Sequence, residues 1–401
     1  MFSCISKSIT NILLVIFISA LFAVNAFGES PRGKQIIPYA IPPAFENATY
    51  FSEGLAAVKI NHKWGFIDKT GKIVIEPQFN LWQAQFNSEF SDGLVAVNFN
   101  NGKDENFKQD GNNVGNIKWG FADKKGRLVI PPKFEGDYFQ PPRFTEGLAP
   151  VIFSSMFPGS QTFVGIGAKY GYIDKTGEYA IKPIYDKAIN FQEGLAAVTI
   201  DEKQGFINNK GEIVIPLIYK LALPFKNGYA IVVKNEKYSF IDKSGNNPFS
   251  KEFDSLSEFS DGLARFEEGG KYGFIDMKGN VVIKPFITPG SVVDWFSGNE
   301  FSEGLCAVRF GYDPNKKDEF NNGKYGYINK IGKVVINPIF DGAKSFKSGK
   351  AVVEIDGKSF LIDKSGNRIS QYFSELTFEA DGMIKVNVGD MFNTKYGFIK
   401  N

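Results

Sequence analysis

The chain is poor in the residues on which much protein chemistry depends. Its 401 residues include two cysteines, Cys4 and Cys306, and one histidine, His62. A lone imidazole excludes His-based metal clusters and any mechanism that needs two histidines. Neither sign of charge is in excess: 46 Lys and Arg against 44 Asp and Glu leave a formal charge of +2. That balance gives no electrostatic footprint for nucleic acid or for an anionic membrane surface. No helical period appears after residue 26, and no apolar run there approaches the ~20 residues of a bilayer span. The sequence contains no G-x-S-x-G, H-E-x-x-H or G-x-x-x-x-G-K-[ST] motif. Gly357-Lys358-Ser359 has Val352 where a phosphate loop needs its first glycine, and Gly165-Ile166-Gly167 lacks the third glycine of a dinucleotide loop. The expectation is a protein that is not an enzyme and holds no cofactor and no metal.

Residues 1–26 read as a secretory leader. A polar start with one cation, Lys7, precedes an apolar run from Ile12 to Val24 and a Val24-Asn25-Ala26 ending with small residues at the −3 and −1 places. The run is too short for a span, so cleavage before Phe27 and a secreted or periplasmic location are expected, with no transmembrane segment left. Cys4 goes with the leader. Cys306 then has no partner for an intrachain disulfide, and packing alone must hold the fold.

Glycine and phenylalanine are abundant, 42 and 40 residues, because one pattern recurs: F-[ST]-[DE]-G-L-A-x-V, then K-[WY]-G-[FY]-I-D-K-x-G-x-[IV]-V-I-x-P-x-[FY]. The first copy begins at Phe51 and later ones at Phe90, Phe144, Phe191, Phe225, Phe259, Phe301 and Phe346; a ninth, partial copy begins near Phe378. The division expected is a leader (1–26), an N-terminal half-repeat or cap (27–50) and a repeat array (51–401). Gly33-Lys34-Gln35-Ile36-Ile37-Pro38 loosely matches the tail of the pattern, so the N-terminus could supply what the last copy lacks.

Lys63-Trp64-Gly65-Phe66-Ile67-Asp68-Lys69, in tandem behind a leader, resembles the bacterial WG-repeat (KWG) family. Trp-Gly stands only at Trp64-Gly65 and Trp119-Gly120; Tyr170, Tyr238, Tyr272, Tyr325 and Tyr396 take the Trp place elsewhere, and Gln204 and Ser359 break the aromatic series. The glycine is lost at Ser239 and Phe360. The resemblance implies a repeat scaffold and names no ligand.

The copies at Phe191, Phe225 and Phe259 are 34 residues apart, room for three short strands. Short apolar runs bounded by turn residues predict strands buried on both faces. The fold class expected is all-β: tandem three-stranded meanders in an open, twisted, solenoid-like array. The alternative is a closed propeller-like ring, for which three strands per unit are few and nine units many. The D-x-x-G segments, such as Asp68 to Gly71, read as type I turns closed by a left-handed glycine, at Gly71, Gly177 and Gly279 among others. Repeated aspartates invite a calcium reading, but Asn208 and Asn329 stand in the same place, as turn chemistry allows. The aromatics at the Trp64 position read as packing residues, and Cys306, at an alanine position, as a small buried one.

Insertions mark where such a scaffold does more. Three fall between the first and second strands, at residues 100–116, 154–168 and 311–323, and carry Phe107, Phe157, Phe163, Tyr312 and Phe320 amid Gly, Asn and Asp. Equivalent loops of stacked units share one rim, where repeat proteins usually bind. Two more, 136–142 and 287–300, follow third strands and are expected at another rim. The leading expectation is an exported binding scaffold for a protein or peptide of the cell envelope. The alternative is a cell-wall or polysaccharide binder acting through its repeat aromatics.

Overall fold

The computed structural model describes residues 37–79, 89–98, 118–135, 141–153, 168–287, 300–311, 323–378, 382–388 and 394–400. Among them every regular element is a β-strand, arranged as tandem antiparallel meanders in small separate sheets rather than one closed barrel. Unit one is typical: Leu55–Ile60 and Lys63–Asp68 form a hairpin, and Ile73–Phe79 returns along the second strand. Unit four repeats it with Leu195–Ile200, Lys203–Asn208 and Ile213–Tyr219.

The signature glycine has a packing cause. Between the pairs Phe66↔Ile75 and Trp64↔Phe79 the second strand advances two residues and the third advances four. The third strand therefore bulges, and its backbone folds over Gly65. A Cβ there would sit 2.5 Å from the Ile75 carbonyl oxygen and 2.8 Å from Pro77 N. Any side chain would expel the strand. Pro77 occupies the exposed edge, where its missing N–H breaks no ladder and discourages pairing with another chain.

Units five and eight lack this glycine, and neither has a third-strand ladder. Ser239 and Phe360 lie in second strands (Lys237–Ile241 and Lys358–Asp363) that end three-stranded sheets. Only the isolated bridges Tyr238↔Phe253, Ser359↔Phe373 and Ile362↔Arg368 remain. The sheets also carry a fourth strand not expected from the sequence. After the third strand of one unit, a two-residue segment such as Lys187–Ala188 or Leu221–Ala222 pairs with the first strand of the next.

Each unit buries both faces. Leu195, Ala197, Phe206, Ile215 and Tyr219 of unit four form one core with Phe225, Ala230, Val232 and Ile241 of unit five. Phenylalanine abundance follows from this arrangement, because the Phe that opens each copy packs on the second-strand aromatic of the unit before. The ring centroids of Phe66–Phe90, Phe121–Phe144, Phe206–Phe225 and Phe274–Phe301 are 5.0, 4.7, 4.8 and 4.9 Å apart. Edge-on pairs of this kind add about 1 kcal/mol to the burial of each ring.

The half-repeat near the N-terminus is a strand, but it is shifted from the expected match. The segment that takes the pattern's tail position is Tyr39–Phe45, paired with Lys395–Lys400 of the last unit.

Candidate functional site

The aromatics at the Trp64 position pack inside the array. Trp64 (4% exposed), Trp119, Tyr272 and Tyr325 are buried, and Tyr170, Tyr238 and Tyr396 are half-buried. Gly71, Gly177 and Gly279 have φ of 86°, 83° and 78°. The turn they close is held by its first residue: Asp68 Oδ1 accepts from the N–H groups of Thr70 (2.8 Å) and Lys72 (3.1 Å), and Gly71 N–H donates to the Asp68 carbonyl. Asn208 Oδ1 does the same for Lys210 and Glu212. An amide therefore serves the turn as well as a carboxylate does.

The acid of F-[ST]-[DE]-G has a role that the spacing did not reveal. Glu53 sits at φ 50° in the two-residue turn between Ser52 and Leu55, an unfavourable place for a residue with a Cβ. Its carboxylate crosses to unit two, accepting from Gly93 N–H (3.1 Å) and pairing with Lys124 Nζ (3.1 Å). Glu193 engages Gly228 N–H and Lys243 likewise, Asp261 engages Gly304 N–H and Lys330, and Glu303 engages Gly349 N–H and Lys364. Burial alone would raise the carboxyl pKa of Asp261. The bonds from Lys330 and Gly304 outweigh burial and hold it below its ordinary value. The sequence held a clue: unit five has Asn227 in the acid's place, and unit six has Met277 in the lysine's place.

These contacts fasten one end of the sheets, and the hairpins between first and second strands project from the other. Short hairpins turn on two residues, as at Asn61-His62 and Asp201-Glu202, all with positive φ. A second clamp lies here: Asp186 takes the Lys169 ammonium and the Asp201 N–H, and Asp341 takes Lys324 and the Asp356 N–H. The three long insertions leave from this same hairpin position, flanked by the pairs Asn98↔Trp119, Phe153↔Lys169 and Phe310↔Lys324. Phe107, Phe157, Phe163, Tyr312 and Phe320 lie outside the described residues.

The third strands that lead into residues 136–140 and 288–299 end at this same rim, contrary to the expectation that these insertions lie at another. Antiparallel return brings the end of the third strand beside the start of the second. Glu135, the last strand residue before residues 136–140, pairs with Lys118 and bridges to Ile152, just ahead of residues 154–167. Ile287 likewise pairs with Tyr272, next to the hairpin of unit six.

At this end four third strands expose an apolar side chain, Ile184 (55%), Ile218 (44%), Phe286 (46%) and Ile339 (44%), with Phe153 on a first strand, whereas units one and two have Gln78 and Lys133 in that place. Third strands of neighbouring units adjoin, since Lys133 pairs with Glu178 and Phe134 lies 6.2 Å from Tyr179. Candidate reactive groups lie elsewhere or are engaged. His62 is exposed on a hairpin, 3.5 Å from Glu46. Cys306 is fully buried, and burial pushes its thiol up to about 12. The Tyr172 and Tyr327 hydroxyls, raised by burial, donate to the Ile189 and Lys344 carbonyls. Among the described residues no group of three His, Cys, Asp or Glu side chains is placed to hold a metal, and no helix is long and apolar enough to cross a membrane.

No curated protein sequence matches the chain. Among solved structures it is similar to a eukaryotic initiation factor, at 13% identity over 92% of this chain and 87% of that one, with a TM-score of 0.42. BamB from Moraxella catarrhalis matches at 11% identity over 89% and 98%, with a TM-score of 0.38, and the dihydro-heme d1 dehydrogenase NirN at 12% over 72% of each chain, with a TM-score of 0.37. Likenesses this distant say nothing of what the chain binds. The family pattern described as "WG containing repeat" is more telling. It matches residues 39–64, 64–103, 119–152, 170–203, 205–238, 238–272, 272–285 and 325–358, more than half of the sequence and in step with the meanders, so the chain belongs to the WG-repeat family.

Proposed function

We propose that this chain is an exported, non-enzymatic scaffold that binds a protein or peptide of the cell envelope on its hairpin rim. The observation that carries the reading is the row Ile184, Ile218, Phe286 and Ile339, at the end of the sheets where the insertions also leave. Apolar side chains held at this rim by four units, beside the points where the insertions leave, suit a contact surface and add nothing to a core. The polysaccharide alternative is the weaker, because most aromatics it relied on are buried. Residues 1–26 support export, and N-terminal sequencing of protein recovered from the periplasm or medium should begin at Phe27.

The test is capture of envelope proteins followed by mass spectrometry, with I184S, I218S, F286S and I339S combined. These exposed changes should leave thermal unfolding within about 2 °C while partner recovery falls. Replacing residues 100–116 or 154–168 by the Asp201-Glu202 connection provides a second arm, since loop length alters closure entropy only logarithmically. Unchanged recovery in both arms would refute the rim as the binding surface. Binding on a glycan array would favour the polysaccharide reading.

A further inference from the structure

The ninth unit has two strands of its own beyond its edge strand, Met383–Val388 and Lys395–Lys400, and takes its third from the far end of the sequence. Tyr39–Phe45 occupies that seat in the register of any other third strand. Tyr39↔Ile399, Ile41↔Phe398 and Phe45↔Tyr396 reproduce Ile73↔Ile67, Ile75↔Phe66 and Phe79↔Trp64 of unit one. The close approach is reproduced as well. A Cβ on Gly397 would lie 2.6 Å from Pro43 N and 2.7 Å from the Ile41 carbonyl oxygen, and Ile41 covers Gly71 of unit one as Ile75 covers Gly126 of unit two. The core beneath is continuous from the last unit to the first: Met383 and Phe398 pack with Ala56, Val58 and Ile67, and the Phe398 and Phe51 rings are 4.9 Å apart.

We infer that Tyr39–Phe45 is a latch that closes the array on itself, and that the array opens at this interface before any other. Every other third strand is tethered to its second strand by a turn of four or five residues, so a detached strand stays close and re-docks. Tyr39–Phe45 is tethered only through Glu46 to unit one, and nothing short joins it to Lys395–Lys400. Re-forming its ladder therefore depends on the packed array holding its two ends together, with no short connection to keep the strand beside its partner. Side-chain contacts secure it as well, with Lys385 Nζ donating to the Ala48 carbonyl among them (3.4 Å). Ile37 N–H donates to Gln371 Oε1 (3.0 Å), Gln371 Nε2 donates to the Ile37 carbonyl (3.2 Å), and Lys385 lies over the Tyr50 ring at 4.4 Å. Opening here uncovers Phe51 on one side and Met383 and Phe398 on the other, while the eight remaining interfaces stay packed.

Amide hydrogen exchange on the full chain tests the latch. Met383–Val388 and Lys395–Lys400 should be protected, yet exchange about a hundredfold faster than the equivalent strands of unit four, Leu195–Ile200 and Lys203–Asn208. Ile41→Ala should accelerate exchange in unit nine and the first strand of unit one and leave units three to seven unchanged. Gln371→Ala, which removes only the two bonds to Ile37, should give a smaller rise confined to unit nine. Protection in unit nine equal to that in unit four would overturn the opening, and no response of unit nine to either variant would overturn the docking. An Ile41→Ala effect spread evenly over all units would make the array one cooperative body and leave no latch.

Discussion

Units four and five are neighbours built on the same pattern, and at the signature position one has Gly205 and the other Ser239. Gly205 leaves room for the backbone of Ile213–Tyr219 to fold over it; Ser239 carries a Cβ, and no third strand follows along Lys237–Ile241. Unit five still covers the turn of its neighbour. The Phe249 ring lies against Gly279 where other units present an isoleucine, and Phe249 packs with Phe240, Tyr229 and Phe259. The glycine of the family signature thus serves close backbone approach rather than turn freedom. A large ring can fill the resulting gap without restoring the ladder.

The sharpest way to break this difference is to give unit four the side chain it excludes. Gly205→Ala places a Cβ 2.5 to 2.7 Å from backbone atoms of Ile215 and Pro216, none of which is the end of a flexible chain, and should cost about 3 kcal/mol in urea unfolding. Ser239→Gly, at the matching place in unit five, should change stability by less than about 1 kcal/mol. Equal effects would show that the approach over Gly205 is not what fixes the third strand. The covering residues come next. Ile215→Ala should cost about 3 kcal/mol as a buried isoleucine, and the half-buried Phe249→Ala about 2 kcal/mol.

The two junctions also differ in charge. Glu193 of unit four reaches Gly228 and Lys243 of unit five, whereas the matching places between units five and six hold Asn227 and Met277, and Asn227 Nδ2 donates to the Phe259 carbonyl. Installing Asn227→Glu with Met277→Lys should stabilise by about 0.5 kcal/mol, and a double-mutant cycle should assign most of that to the pair. The smallest effect is on pH dependence. Asp261 and Glu303 have carboxyl pKa values below their ordinary ones, because the lysine and glycine N–H bonds outweigh a burial that would raise them. Their contribution is therefore complete above about pH 5 and is lost as the pH falls through the ordinary carboxylate value near 4 and then the lower folded one. The Asn227→Glu, Met277→Lys variant should lose more stability than the parent between pH 5 and pH 3.

Much of the unit was legible in the sequence because its determinants are local. D-x-x-G predicted the turn at Gly71, and an aromatic beside apolar strand residues predicted the burial of Trp64. The rest depends on partners a repeat away. The role of Glu53 is not visible locally, because Gly93 and Lys124 belong to the next unit. The rim of residues 136–140 was misplaced because the sense of the third strand is a property of the sheet, not of the segment. Ser239 and Phe360 stood out as lost glycines, but their consequence needs the bulge at Pro77 to be seen.

The acid-to-lysine clamp has a heading, since a unit that carries both halves offers its carboxylate forward and its ammonium backward. A unit carrying both halves can be duplicated or deleted whole, and its new neighbours find the contacts they had before. Unequal crossing-over within the gene would then lengthen or shorten the array without designing a fresh junction. A junction where Asn227 and Met277 replace both charges would accept an inserted unit without breaking a clamp.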